Sequence, residues 1–263
     1  MNRTLRGLLA VYAWGFLALL ILPALLIVPT SLATGTILEF PPSSLTLDWY
    51  AEVAADDTWL NSGLVSLSIS SMAAAIGTFA GFCVALAIYR LGRLPRTVQG
   101  ALMIPLLAPH IIVGSGLFAV MLFLGVDFES HWPLALVYGT VSIPVAMSVL
   151  VPAFAATDPL LWTAAGSLGA SPLTTTRRVM APLLAPALIV AFLLAFNVAW
   201  DETTFAIFIG PSVEPTLSVR MFGYLQQSVT PEIAALASIL LVLTLIGAAL
   251  VYLLSPRRRE ASR

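Results

Sequence analysis

The stretch NVAWDETTFAIFIGP, Asn197 to Pro211, sets two carboxylates, Asp201 and Glu202, near the end of an apolar run that opens around Pro186. A charged side chain facing lipid costs about 2.5–3.5 kcal/mol on insertion scales, so such groups line an aqueous cavity or meet a partner. Turned toward a path, Asp201 offers an acceptor-only site for an amine or a guanidinium. On a regular helix begun at Pro186, Asp201 lies about 22 Å along the axis at ~1.5 Å per residue, in the outer half of a bilayer. Spacings of four and three put Asn197, Asp201 and Thr204 on one helical face. Glu202 then points about 100° away. The competing reading ends the helix at Trp200 and leaves both acids in the membrane interface beside an aromatic anchor.

Other reactive residue types are sparse. His110, in APHIIVG, is a lone ionisable group in an apolar run, where packing or a hydrogen bond to backbone freed by Pro109 accounts for it. No GxSG occurs, and Ser115 sits five residues beyond His110 on the same run, a poor geometry for a nucleophile and its base, which argues against a rhomboid-type intramembrane protease. His131, beside Trp132, receives no role. The single cysteine, Cys83, allows neither an internal disulfide nor a cysteine metal cluster. All twelve basic residues are arginine, and the absence of lysine excludes a Walker A loop, whose lysine must reach the nucleotide phosphates.

The elements that carry these residues are membrane helices. Of 263 residues, 59% are hydrophobic and 10% charged, far from the quarter-charged composition of soluble domains. Apolar windows predict six transmembrane helices near 8–32, 62–89, 98–124, 132–153, 186–209 and 233–254, an all-α polytopic membrane protein. The first apolar run is far longer than a signal-peptide core, which reads as an uncleaved span. Every arginine except Arg220 falls on one side of these spans: Arg3 and Arg6, then Arg90, Arg93 and Arg96, then Arg177 and Arg178, then Arg257, Arg258, Arg259 and Arg263. The positive-inside rule places that side, and both termini, in the cytoplasm. Prolines at 23, 29, 105, 109, 144 and 152 predict kinks or breaks. Gly77 and Gly81, spaced as GxxxG, permit close helix approach.

Between the fourth and fifth spans runs ATDPLLWTAAGSLGASPLTTTRRVMAPLLAPAL, Ala156 to Leu188, longer than connections in compact helical proteins usually are. Asp158-Pro159 suits a helix start, Gly169 a helix end, and Ser171-Pro172 a second start. The pattern predicts two short helices joined at a glycine, with Leu168 exposed and Arg177-Arg178 following. Docking onto a partner and lying along the lipid interface both fit that pattern.

This segment resembles the EAA loop of ABC-transporter importer permeases: Glu-Ala-Ala, three residues, Gly, nine residues, then Ile-x-Leu-Pro. Ala164, Ala165, Gly169 and Pro182 match, whereas Thr163, Val179 and Ala181 stand at the Glu, Ile and Leu positions. LTLDWYAEV, NSGLVSLSIS, IPLLAPHIIVGSGL and the run from Gly210 to Leu243 are similar to the spermidine/putrescine-type branch of type I importers. The resemblance implies a type I ABC importer permease fold, with a first helix and external loop over 1–61, a core permease domain over 62–254, a cytoplasmic coupling loop over 154–185, and a basic tail over 255–263. It implies Ala164, Ala165, Gly166, Leu168, Gly169, Ala170, Ser171, Arg177 and Arg178 as the ATPase-coupling residues, with Thr163 removing any ionic contact made by the family's glutamate. It implies a second permease subunit, an external solute-binding protein, and an ATPase dimer that binds ATP and Mg, with no cofactor in this chain. The expected cargo is a small cation, a polyamine or an amine-bearing amino-acid-like compound, meeting Asn197, Asp201, Glu202 and Thr204. An ion-coupled secondary transporter is the competing class, but it needs no docking loop and commonly shows internal repeats, which this sequence lacks.

Overall fold

The computed structural model describes residues 3–92 and 95–254. The basic tail 255–263 and Arg93 lie outside the described residues, as do the side chains of Arg3, Arg6 and Arg96. The described chain is helical, with one isolated antiparallel bridge between Ala33 and Leu45 in place of any strand. It divides into two compact units, Met1–Leu60 with Met221–Arg263, and Asn61–Arg220.

In the first unit, α1 (Arg3–Thr30) and the short α2 (Asp48–Ala55) each pack on α12 (Pro231–Leu254). Polar groups at the ends of these helices find one another. Ser31 and Tyr50 share a hydroxyl–hydroxyl bond at 2.6 Å, and the Trp49 indole N–H donates to Ala33 C=O at 2.9 Å. The Trp59 indole donates to the Glu232 carboxylate at 3.2 Å and its ring meets Tyr224 at 4.8 Å. An indole keeps such a donor satisfied while its body packs.

The second unit is organised around α6 (Trp132–Ala155). α3 (Asp57–Leu91) approaches it along a seam of small residues. A Cβ on Gly77 would stand 2.7 Å from Ser142 Cβ, one on Gly81 2.8 Å from Ala146 Cβ, and one on Gly139 2.7 Å from Ile76 Cγ2. The GxxxG spacing is therefore used for close helix contact, the geometry small residues allow in a membrane. On another side of α6 packs α10 (Ala185–Asp201), through a stripe of buried alanines, Ala191, Ala195 and Ala199. The buried Ser142 hydroxyl donates to Tyr138 C=O at 2.8 Å and lies 3.3 Å from Ala195 C=O, which spares it an unmet polar group.

The expected third and fifth spans are not straight. α4 (Arg96–Leu107) and α5 (His110–Phe123) meet at Ala108-Pro109 with a bend of 99°. α10 stops at Asp201, and α11 (Thr204–Ile209) follows after a break. Among the described residues, three helices are long and apolar enough to cross a membrane, or up to five when each sharply bent pair counts as one span.

The loop after α6 forms the helix–turn–helix expected of it. α7 (Leu160–Ser167) begins where the Asp158 carboxylate accepts the Leu160 N–H at 2.9 Å. It ends at Gly169, with φ +83°: Gly169 N–H bonds Gly166 C=O at 2.9 Å and Ala170 N–H bonds Ala165 C=O at 3.0 Å. That pair of bonds is a Schellman cap, whose left-handed residue is ordinarily glycine. Ser171 then caps α8 (Pro172–Thr175), accepting Thr174 N–H at 3.2 Å. A π-helical turn, Thr176–Met180, carries Arg177 and Arg178 and leads into α9 (Ala181–Leu183). Pro182 has no N–H to give Arg178 C=O, and the wider turn ahead of it accommodates that loss. The run Pro172–Leu183 meets α10 at a bend of 77°.

Candidate functional site

The two acids of the opening stretch have different surroundings. α10 ends at Asp201; Glu202 is extended (φ −76°, ψ 116°), and Thr204 starts a new helix. The expectation of one regular face through Asn197, Asp201 and Thr204 is corrected here. Asn197 and Asp201 are exposed on consecutive turns of α10, whereas Thr204 is half-buried and belongs to α11.

Glu202 is held from several directions. One carboxylate oxygen, Oε1, accepts Thr204 N–H at 2.7 Å and Phe205 N–H at 3.4 Å, satisfying the first donors of α11. The other, Oε2, lies 2.9 Å from His110 Nδ1. An ionised carboxylate accepts only, which makes Nδ1–H the donor. The Tyr138 hydroxyl donates to Glu202 C=O, and the His110 ring lies 4.9 Å from the Phe205 ring. The His110 side chain is 29% exposed and that of Glu202 13%. His110 thus meets a carboxylate, not backbone freed by Pro109. The two interrupted helices meet at this pair.

Among the described residues no hydrogen bond or ion pair engages the Asp201 carboxylate. Of the two acids, Asp201 is open to a ligand and Glu202 is committed to structure. Glu202→Ala would strand the His110 donor and two helix-start N–H groups, each worth about 1–3 kcal/mol when buried and unmet. The expected outcome is a lowered thermal midpoint and lower membrane yield for Glu202→Ala, with Asp201→Ala near wild type, read by fluorescence-detected thermal unfolding in detergent.

At the other end of α10, the segment from α7 to the π-helical turn stands clear. α7 has no buried residue, Leu168 is 89% exposed, and Ala164, Gly166, Gly169, Ser171, Arg177 and Arg178 are exposed. Ala165 and Ala170 are half-buried. Its anchor is Trp162, whose ring lies 4.2 Å from the Arg90 guanidinium carbon at the end of α3, a cation–π contact. Trp162 and Val179 pack against a buried cluster of Ala85, Leu150, Phe154, Met180 and Leu184. Sequence reasoning passed over Trp162 and Tyr138 and read Arg90 only as a charge that sets topology. The presence of ionisable groups in two different apolar runs, His110 and Glu202, was the available signal for a partly buried pair.

The family model described as binding-protein-dependent transport system inner membrane component matches residues 73–260. The chain belongs to that family. This inner membrane component is 28% identical over 249 residues to a spermidine/putrescine transport system permease protein, PotC, of Escherichia coli, covering 93% of this chain and 91% of that protein. It is 28% identical over 199 residues to PotC of Haemophilus influenzae, covering 75% and 77%. It is 29% identical over 227 residues to a putrescine transport system permease protein, PotI, of Escherichia coli, covering 82% and 79%. A solved bacterial ABC transporter involved in the import of the acidic polysaccharide alginate superimposes with a TM-score of 0.63 at 17% identity, covering 96% of both chains, and shows the ABC importer permease fold. The inner membrane component is a multi-pass permease component of a binding-protein-dependent ABC importer, similar to polyamine permeases. Its relatives are permease subunits, not enzymes, and the protease alternative falls with that.

Proposed function

We propose that this chain is one of two permease subunits of an ATP-driven importer for a small cation, a polyamine or a related amine. In this reading it crosses the inner membrane six times, the bent helices of the third and fifth spans included, with both termini in the cytoplasm. An external binding protein delivers the solute, and a separate ATPase dimer, which binds ATP and Mg, docks on the exposed segment 160–178. The second permease is a paralogue rather than a copy.

The observation that carries this reading is a continuity: the exposed α7–α8 segment leads through the 77° bend into α10, and α10 ends at the exposed Asp201. At ~1.5 Å per residue, that helix is about 25 Å long, enough to link one membrane face to the outer half of the bilayer. Closure of the ATPases would displace the docked segment as a rigid body, and α10 would carry the displacement to Asp201. A carboxylate there accepts from an ammonium group and repels an anion. The alginate importer's fold therefore serves here for cargo of opposite sign.

Cargo class is tested by competition. Uptake of labelled spermidine into vesicles carrying the complete transporter should fall with excess putrescine or spermidine and ignore an oligoalginate. Competition by the acidic oligosaccharide, with none by the amines, would overturn the cationic reading.

A further inference from the structure

We propose that α4 is a swinging arm, hinged at Ala108-Pro109 against a fixed pin made by His110 and Glu202. The inference rests on the importer reading only for what drives the swing; the hinge belongs to the chain itself.

The hinge has the geometry of a break. Ala108 (φ −72°, ψ 141°) and Pro109 (φ −60°, ψ 113°) are both extended, and Pro109 has no N–H with which to continue a helix. On the far side of the hinge the structure is tightly tied. The first residue of α5, His110, bonds Glu202 and packs its ring, tilted, against that of Phe205. One turn on, Gly114 lies so close to α11 that an added Cβ would stand 2.9 Å from the Phe208 ring. Phe205 and Ile209 of α11 are buried. α5 and α11 are therefore one block, pinned at its end.

On the near side the arm is loosely held. From Gly100 to Leu107 it carries no polar side chain, and none of its described residues is fully buried. It packs on α6. Open clefts flank that contact. One, of about 290 Å³, is bordered by Ile104, Pro105 and Ala108 on one wall and Leu136, Val137 and Thr140 on the other. A second, of about 620 Å³, lies between Met103 and Leu106 and the α6 residues Val145, Ser148 and Val151. Among the described residues no hydrogen bond ties this apolar helix to α6, so with open clefts on both sides of the contact it can shift without breaking a directional bond. Val98 lies about 15 Å from the hinge, and a swing of about 20° would carry it through roughly 5 Å.

Paired spin labels test the hinge in the assembled transporter in lipid nanodiscs, with Cys83 replaced by serine. One pair, at Val98 and Leu136, spans arm and α6; the other, at Ile112 and Ile207, spans α5 and α11. In the resting transporter the arm pair should show a distance distribution about twofold wider than the block pair. Filling the larger cleft, by Val145→Phe or by Ser148→Leu, should narrow the arm distribution to that of the block and slow uptake. His110→Ala should widen the block pair, and His110→Gln, which keeps a donor, should restore it. Equal widths for the two pairs, or an arm distribution unchanged by both cleft-filling variants, would overturn the proposal. Uptake that needs no ATPase would overturn the importer reading while leaving the label distances to decide the hinge.

Discussion

Gly169→Val is expected to abolish ATP-driven uptake: in a reconstituted transporter, uptake should fall by more than tenfold while the chain still inserts in the membrane. The backbone of Gly169 sits at φ +83°, in the left-handed region that a β-branched residue enters at a cost of about 1–3 kcal/mol. Nothing lies within 4 Å of an added Cβ, so the variant meets no steric clash with a neighbour. The penalty is purely one of backbone conformation, and the turn relieves it by leaving φ > 0. That breaks the bonds from Gly169 and Ala170 to Gly166 and Ala165, which set the angle between α7 and α8. Gly169→Asn is the control, because asparagine tolerates the left-handed region. It should retain most uptake. Normal ATP-dependent uptake by the valine variant, or equal losses in both variants, would show that the shape of this turn does not transmit force.

Asp201→Asn is expected to lower uptake of a polyamine roughly tenfold to a hundredfold, the size of losing one hydrogen bond to a charged partner at about 1.5–3 kcal/mol. The substitution keeps volume and removes charge from a carboxylate that is exposed and, among the described residues, without a hydrogen bond or ion pair. Assembly and thermal stability should therefore not move. Glu202→Gln offers the contrast: it disturbs a carboxylate that already serves His110 and the start of α11, and its effect should appear in stability. Concentration-dependent uptake kinetics with the binding protein saturating check the point. Unchanged turnover in Asp201→Asn would make Asp201 an interfacial anchor and no part of the path.

The contrast between these acids also shows what was legible beforehand. The turn at Gly169 was readable because its signals are local: a glycine for the left-handed cap, a serine before a proline for the next start, both within a few residues of the bonds they make. The seam of Gly77 and Gly81 was readable for the same reason, although its partners, Gly139, Ser142 and Ala146, were not. The break after Asp201 was hidden. No proline or glycine falls between Asp201 and Thr204, and the interruption is stabilised by groups far away in the chain, Tyr138 from α6 and His110 from α5. A period of 3.6 residues carried through that point put Thr204 on the wrong face. Arg90 beneath Trp162 is non-local in the same way, joining residues from two segments that sequence spacing cannot relate.

Energy source is the most direct test of the importer reading. The chain, its second permease and the ATPase subunits would be reconstituted in vesicles with binding protein and labelled spermidine outside. Uptake should require ATP inside, stop when the ATPase subunits are omitted, and persist when ionophores collapse proton and sodium gradients. Uptake that survives without the ATPase and follows an imposed ion gradient would contradict it.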